Sequence, residues 1–237
     1  MGIGKMEIHG FNKTTLLDYP EHVAATVFTG GCNFRCPFCQ NAGLVLDPKG
    51  QEIIGEEEVL AYLQKRRGIL EGVCITGGEP TLQPDLMNFV RKIKELGYLV
   101  KLDTNGYRPE ILWELLEEGL LDYVAMDIKA SRENYGNAAG VKQMDLARIE
   151  ESVGMLKSSS IPYEFRTTVV KGIHAVEEFE AVGRWLEGSL AYYLQAFRES
   201  DNIIENRDFS AFSKEDMEKM AKLAGKYIDK VEVRGVE

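Results

Sequence analysis

Three of the four cysteines in this 237-residue chain fall within eight positions, in the stretch GGCNFRCPFCQN. Cys32, Cys36 and Cys39 follow the spacing C-x3-C-x2-C. Thiols crowded into one segment point to metal chemistry, and an odd number of them argues against a disulfide framework. A structural zinc ion wants four ligands. His9, His22 and His174 are the only histidines, and none lies at a typical ligand spacing from the trio. The remaining thiol, Cys74, sits in the apolar run GVCITG, where a small buried side chain is expected. Three thiolates also suit a four-iron cubane that leaves one iron open to a small molecule. Spacing alone leaves zinc and the cluster as alternatives.

Other polar residues gather where apolar runs end. TGGEP holds Gly77, Gly78 and Glu79, and paired glycines let a backbone approach a ligand closely. LDTNG holds Asp103 and Thr104, MDIK holds Asp127 and Lys129, and EFRTT holds Arg166. LQAFRE places Gln195 and Arg198 near the end of a sixth run. Each of these has an ordinary alternative as a turn or a helix cap. Arg166, inside a strand, needs an anionic partner such as Asp127 if it is buried.

The elements that must carry these residues alternate. Strands are expected at 23–29, 72–77, 98–104, 122–128, 163–170 and 190–197. Helical patterns follow near 56–66, 84–96, 108–119, 145–158 and 175–187, with a C-terminal helix at 213–228. Ser213 and Asp216 give that last helix a capping pair. Six strand-then-helix units imply a parallel sheet with right-handed crossovers. An open doubly wound sheet and a partial barrel both satisfy the pattern. The connection 30–55 after the first strand is unusually long, as functional loops are.

The C-x3-C-x2-C motif, with Phe38 before its last cysteine, resembles the radical S-adenosylmethionine (radical SAM) superfamily. The resemblance implies a partial (β/α)6 TIM-like barrel as one domain over 1–237, in keeping with the six units. It implies a 4Fe–4S cluster on Cys32, Cys36 and Cys39, whose open iron takes SAM. Phe38 would lie beside the adenine, and Gly77, Gly78 and Glu79 would hold the SAM amino group. DTNG and D-x-K resemble the glycyl-radical-enzyme activases of that superfamily. There Asp103, Thr104 and Asp127 would hold a monovalent cation against the SAM carboxylate. Lys129 would reach the methionine end. From their strand positions rather than the resemblance, an interior Arg166 would face the SAM carboxylate or Asp127, and Arg198, near the mouth, is expected on the substrate side or in solvent. No side-chain base is implied.

TTLLDYP and VFTGGCNFRCPFCQN resemble the activating proteins of anaerobic ribonucleotide reductase. The partners implied are that glycyl radical enzyme and a one-electron reductant such as flavodoxin or ferredoxin. The chain departs from pyruvate formate-lyase activating enzyme in having no histidine after the sixth strand.

Composition narrows the rest. Hydrophobic residues make up 44% and charged residues 28%, a globular profile. A net charge of −10 disfavours nucleic acid, whose phosphates need neutralising. The run Lys65-Arg66-Arg67 is expected to be a solvated helix end. No apolar run reaches membrane-spanning length, and MGIGKMEIHGFNK lacks the apolar stretch of a secretory signal, so a cytoplasmic protein is expected.

Overall fold

The computed structural model describes residues 6–200, 202–205 and 208–236. Its residues form two compact units. One comprises the described residues up to Asn33, with Asn41–Thr104 and Arg108–Val124. The other comprises Phe34–Gln40, Asn105–Tyr107 and the described residues from Ala125 onward.

In the first unit β1 (Ile8–Thr15) pairs antiparallel with β2 (Ala24–Thr29). Next, β2 pairs parallel with β3 (Gly72–Gly77), and β3 with β4 (Leu99–Thr104). The strands form where β-branched and other apolar residues are buried: Val27, Val73, Ile75, Val100 and Leu102 are all fully covered. Each such side chain contributes about 1.5–3 kcal/mol relative to exposure. The connections carry α1 (Ala42–Leu46), α2 (Glu56–Arg66), α3 (Leu86–Glu95) and α4 (Pro109–Glu117). Glu56, Glu57 and Glu58 open α2, and Lys65 and Arg66 close it, both matching the helix dipole. The basic run is thus the expected helix end. The apolar stripe Leu86, Phe89, Val90 and Ile93 seats α3.

The second unit holds the end of β5 (Tyr123–Asp127), then α5 (Tyr135–Ala139), α6 (Leu146–Ser158), β6 (Tyr163–Val169) and α7 (Glu178–Trp185). After these come β7 (Tyr192–Ala196), α8 (Lys214–Ala224) and β8 (Val231–Arg234). The β6–β7 and β7–β8 pairs are parallel. Arg234 fixes β8 by a two-pronged bond to the buried Glu164, at 3.1 Å from each oxygen. The eight strands follow chain order through a mostly parallel, open sheet. Strands β2 to β7, with their helices, are the six expected units of the partial (β/α)6 barrel.

Several boundaries differ from expectation. β1 and β8 flank the six strands and were not expected; β1 carries too many polar residues for a clear alternation. The stretch 30–55 is not bare loop, since it contains α1 and a 3-10 turn, Pro48–Gly50, capped by Asp47 through the Gly50 N–H at 3.0 Å. The C-terminal helix spans Lys214–Ala224 rather than 213–228. Ser213 does cap it, accepting from the Asp216 N–H at 3.2 Å. Gly225 ends it, and Ile228 is buried beyond the helix rather than on it.

Candidate functional site

In the first unit the chain turns sharply at the end of β3, and the turn is stitched to the start of the cysteine segment. The Gly78 N–H donates to Thr29 O at 2.9 Å, and the Glu79 N–H to Gly31 O at 2.8 Å. Gln83 Nε2 donates to Gly30 O at 2.7 Å, and Asn41 Nδ2 to Gly77 O at 3.0 Å. Glycine is required at both positions. Gly77 has φ +117°, and a Cβ on Gly78 would lie 1.9 Å from Gly31 O. Gly77 and Gly78 therefore present bare backbone beside the segment that carries Cys32. Cys32 is half-buried and forms no disulfide.

Glu79 is fully buried, and its Oε1 accepts from Thr81 N, Thr81 Oγ1 and Thr104 Oγ1 at 3.1, 2.6 and 2.7 Å. The carboxylate thereby ties the end of β3 to the end of β4. Two residues earlier on β4, side chains alternate onto a common face. There the Lys101 ammonium contacts the Asp103 carboxylate and lies 3.7 Å from Cys74 Sγ. Lys101 is 2% exposed, and Cys74 is buried as expected.

In the second unit, residues 34–40 are held by backbone bonds. The Arg35 N–H donates to Ala139 O at 2.9 Å, and the Glu205 N–H to Pro37 O at 2.9 Å. Gly140, with φ +66°, allows the first contact: a Cβ there would sit 2.0 Å from Arg35 O. The Cys39 N–H donates to Cys36 O at 3.0 Å, a turn that brings these two positions close along the chain. Both are free thiols, Cys36 buried and Cys39 half-buried. Burial pushes the Cys36 thiol up to about 11, against the pull of the Lys129 ammonium. Phe38 is buried, its ring edge-on to His174 at 6.1 Å between centroids.

Asp127 and Lys129, at the end of β5, meet Arg166 of β6. Lys129 Nζ lies 3.0 Å from Asp127 Oδ2; Arg166 Nε and Nη2 lie 3.1 and 3.0 Å from Oδ1. Burial disfavours the ionised carboxyl, but the two cations outweigh it and hold Asp127 at about 2. Burial likewise opposes the Lys129 charge, yet Asp127 and Cys36 raise its pKa well above the ordinary value. The buried Tyr135 hydroxyl donates to Asp127 O at 3.4 Å. His174 is 7% exposed and lies near 2.8 Å from Lys129 O through Nε2, while Nδ1 accepts from the Val170 N–H at 3.0 Å. One imidazole thus fixes the residues that follow both strands.

The structure therefore brings Asp127, Lys129 and Arg166 into one ion cluster, with Cys36 near enough for the Lys129 charge to act on its thiol. It places Glu79 and Thr104 in direct contact, and Asp103 against Lys101. Arg198 is exposed, and its carbonyl accepts from Gln40 Nε2 at 2.6 Å. Sequence reading missed Lys101 and His174. The alternation Lys101–Asp103 on one strand face was a usable signal for the first. His174 had none, because its partners are backbone groups, one of them 45 positions away in the chain. Among the described residues no three His, Cys, Asp or Glu side chains converge to hold a single metal ion.

The radical SAM superfamily profile matches residues 26–186. The chain belongs to the radical SAM superfamily, enzymes that use a 4Fe–4S cluster and S-adenosylmethionine. A Methanocaldococcus jannaschii protein named "Putative glycyl-radical enzyme activating enzyme" is 31% identical over 98% of this chain and 97% of its own length. A Thermococcus kodakarensis protein named "Probable GTP 3',8-cyclase" is 33% identical over 65% of this chain, which spans 50% of that relative. Among solved structures, Streptococcus suis SuiB bound to its precursor peptide SuiA superposes with TM-score 0.65 at 14% identity. That match covers 86% of this chain and 47% of SuiB, and it shows a shared fold. Among the described residues, no helix is long and apolar enough to cross a membrane.

Proposed function

We propose that this protein is a glycyl-radical-enzyme activase, acting on anaerobic ribonucleotide reductase. The observation that carries the reading is the end-to-end match to a relative bearing an activase name, at 31% identity over 98% of the chain. The site residues agree with it. Cys32, Cys36 and Cys39 lie on one segment outside any disulfide, and thiolate donors are what an iron–sulfur cluster takes. Metal binding would deprotonate Cys36, offsetting the burial that keeps its proton on, and Lys129 favours that ionised form. Three donors leave one iron of a four-iron cluster for SAM.

When bound, the cluster and SAM supply a 5′-deoxyadenosyl radical that takes a hydrogen atom from the substrate. The chain's own residues bind and orient. The Gly77–Gly78 backbone offers close approach to the SAM amino group, with the Glu79 carboxylate bracing the turn from beneath. Lys129 and Arg166 supply positive charge for the SAM carboxylate, and Asp127 holds both in place. Asp103 and Thr104 stand at the end of β4 as further SAM contacts, and Phe38 borders the adenine. Arg198 faces the substrate. A one-electron reductant such as flavodoxin or ferredoxin completes the system, and the compartment is the cytoplasm. Positioning is the whole of the protein's contribution, and errors of an ångström are costly in such sites.

A small-molecule reaction is the second reading, favoured by the partial match to the GTP cyclase. The test is electron paramagnetic resonance on the reconstituted, reduced protein with SAM and an anaerobic ribonucleotide reductase from the same host. A glycyl-radical doublet on the partner, lost in Cys36→Ala, is the expected result. A cluster signal that shifts with SAM but yields no doublet would keep the superfamily and discard the ribonucleotide reductase partner. Deoxyadenosine formation driven by GTP in its place would establish the second.

A further inference from the structure

The resemblance implies a monovalent metal ion on Asp103, Thr104 and Asp127, but the donors in this chain are already engaged by its own groups. Asp103 is in contact with the ammonium of Lys101, and that side chain is 2% exposed against 14% for Asp103. Thr104 Oγ1 gives its hydrogen to Glu79 at 2.7 Å and keeps its lone pairs, so the two carboxylates decide the fit. In the other unit, Asp127 is held by Lys129 and Arg166. The residues do not fit a bound alkali metal.

We propose that Lys101 is the resident cation of the Asp103 carboxylate, so that this chain binds SAM without a monovalent metal ion. The register explains how it gets there. Cys74 of β3 lies opposite Lys101 of β4, and Lys101 and Asp103, two residues apart, share a strand face. The four-carbon stem runs through the covered interior beside the small Cys74 side chain. Among the described residues, the carboxylate against its ammonium is that of Asp103, at the strand end. A potassium or sodium ion approaching Asp103 would have to displace a cation that is covalently tethered beside it. Displacement would leave the Lys101 charge buried and without its counter-ion, which is strongly unfavourable. It would also spend the ion's own hydration. The tethered ammonium wins.

The proposal rests on the reading of these strand ends as a SAM site, and the experiment separates the two. SAM affinity of the anaerobically reconstituted protein is measured by equilibrium dialysis in potassium, sodium and tetramethylammonium chloride at equal ionic strength. The wild-type dissociation constant should agree within about twofold across the three salts. Lys101→Ala should bind about tenfold more weakly in tetramethylammonium and regain most of that loss in potassium or sodium. Lys101→Arg should stay indifferent to the salt. A wild-type protein that tightens about fivefold or more on adding potassium or sodium would overturn the proposal. So would a Lys101→Ala protein that matches wild type in tetramethylammonium. If Lys101→Ala does not fold by circular dichroism, the wild-type series alone decides. Absence of SAM binding by wild type in every salt refutes the underlying site reading, and this proposal with it.

Discussion

Replacing Asp127 by Asn removes a charge while changing little of the shape, and so isolates what the ion cluster contributes. In the folded protein the carboxyl is held near 2, against an ordinary value of 3.8, because Lys129 and Arg166 together outweigh the burial that opposes its ionisation. At about 1.36 kcal/mol per pH unit this corresponds to about 2.4 kcal/mol. The side chain is 33% exposed, and solvent screening reduces the figure to about 1.5–2 kcal/mol. For a chain of this size the melting temperature should fall by about 3–4 °C. The sign with pH follows from linkage. A depressed carboxyl stabilises fully above its unfolded value and loses that contribution as pH falls through about 2. The gap between wild type and Asp127→Asn should therefore be flat from about pH 8 to 5 and narrow below about 4. Anaerobic urea denaturation of the two metal-free proteins at several pH values measures it. A gap below about 0.5 kcal/mol at neutral pH, or one that widens on acidification, would refute the electrostatic account.

Two further changes probe the backbone scaffold. Gly78→Ala puts a Cβ 1.9 Å from Gly31 O, a backbone atom that cannot yield cheaply, and should cost more than about 2 kcal/mol. Wild-type stability together with wild-type SAM affinity in that variant would show the close approach to be unimportant. His174 is kept neutral by burial, which prevails over the Lys129 carbonyl and Glu178. The unfolded chain therefore takes a proton first, so stability should rise with pH through about 6.5 and be complete above it. In His174→Gln, which retains a donor for Lys129 O, the slope between about pH 7.5 and 5.5 should shrink; identical slopes would remove His174 as its source.

What the sequence by itself determined was periodic or local. Alternating and helical apolar patterns located the six strands and their helices to within a few residues, since burial of one face is written into spacing. The cysteine trio was legible because its members are neighbours in the chain, and the residues at strand ends because strands and helices alternate so regularly. Tertiary structure alone decided the pairings. That Lys101 lies against Cys74, that Glu79 is braced by Thr104, and that His174 joins the ends of β5 and β6 all depend on which strands lie side by side and in what register. Those choices place side chains from distant segments within 3–4 Å in a buried setting, where an ammonium must find its carboxylate or destabilise the fold. The C-terminal boundary of α8 belongs to the same class. Its apolar spacing runs on to Ile228, and only the packing around Gly225 shows that the helix has already ended.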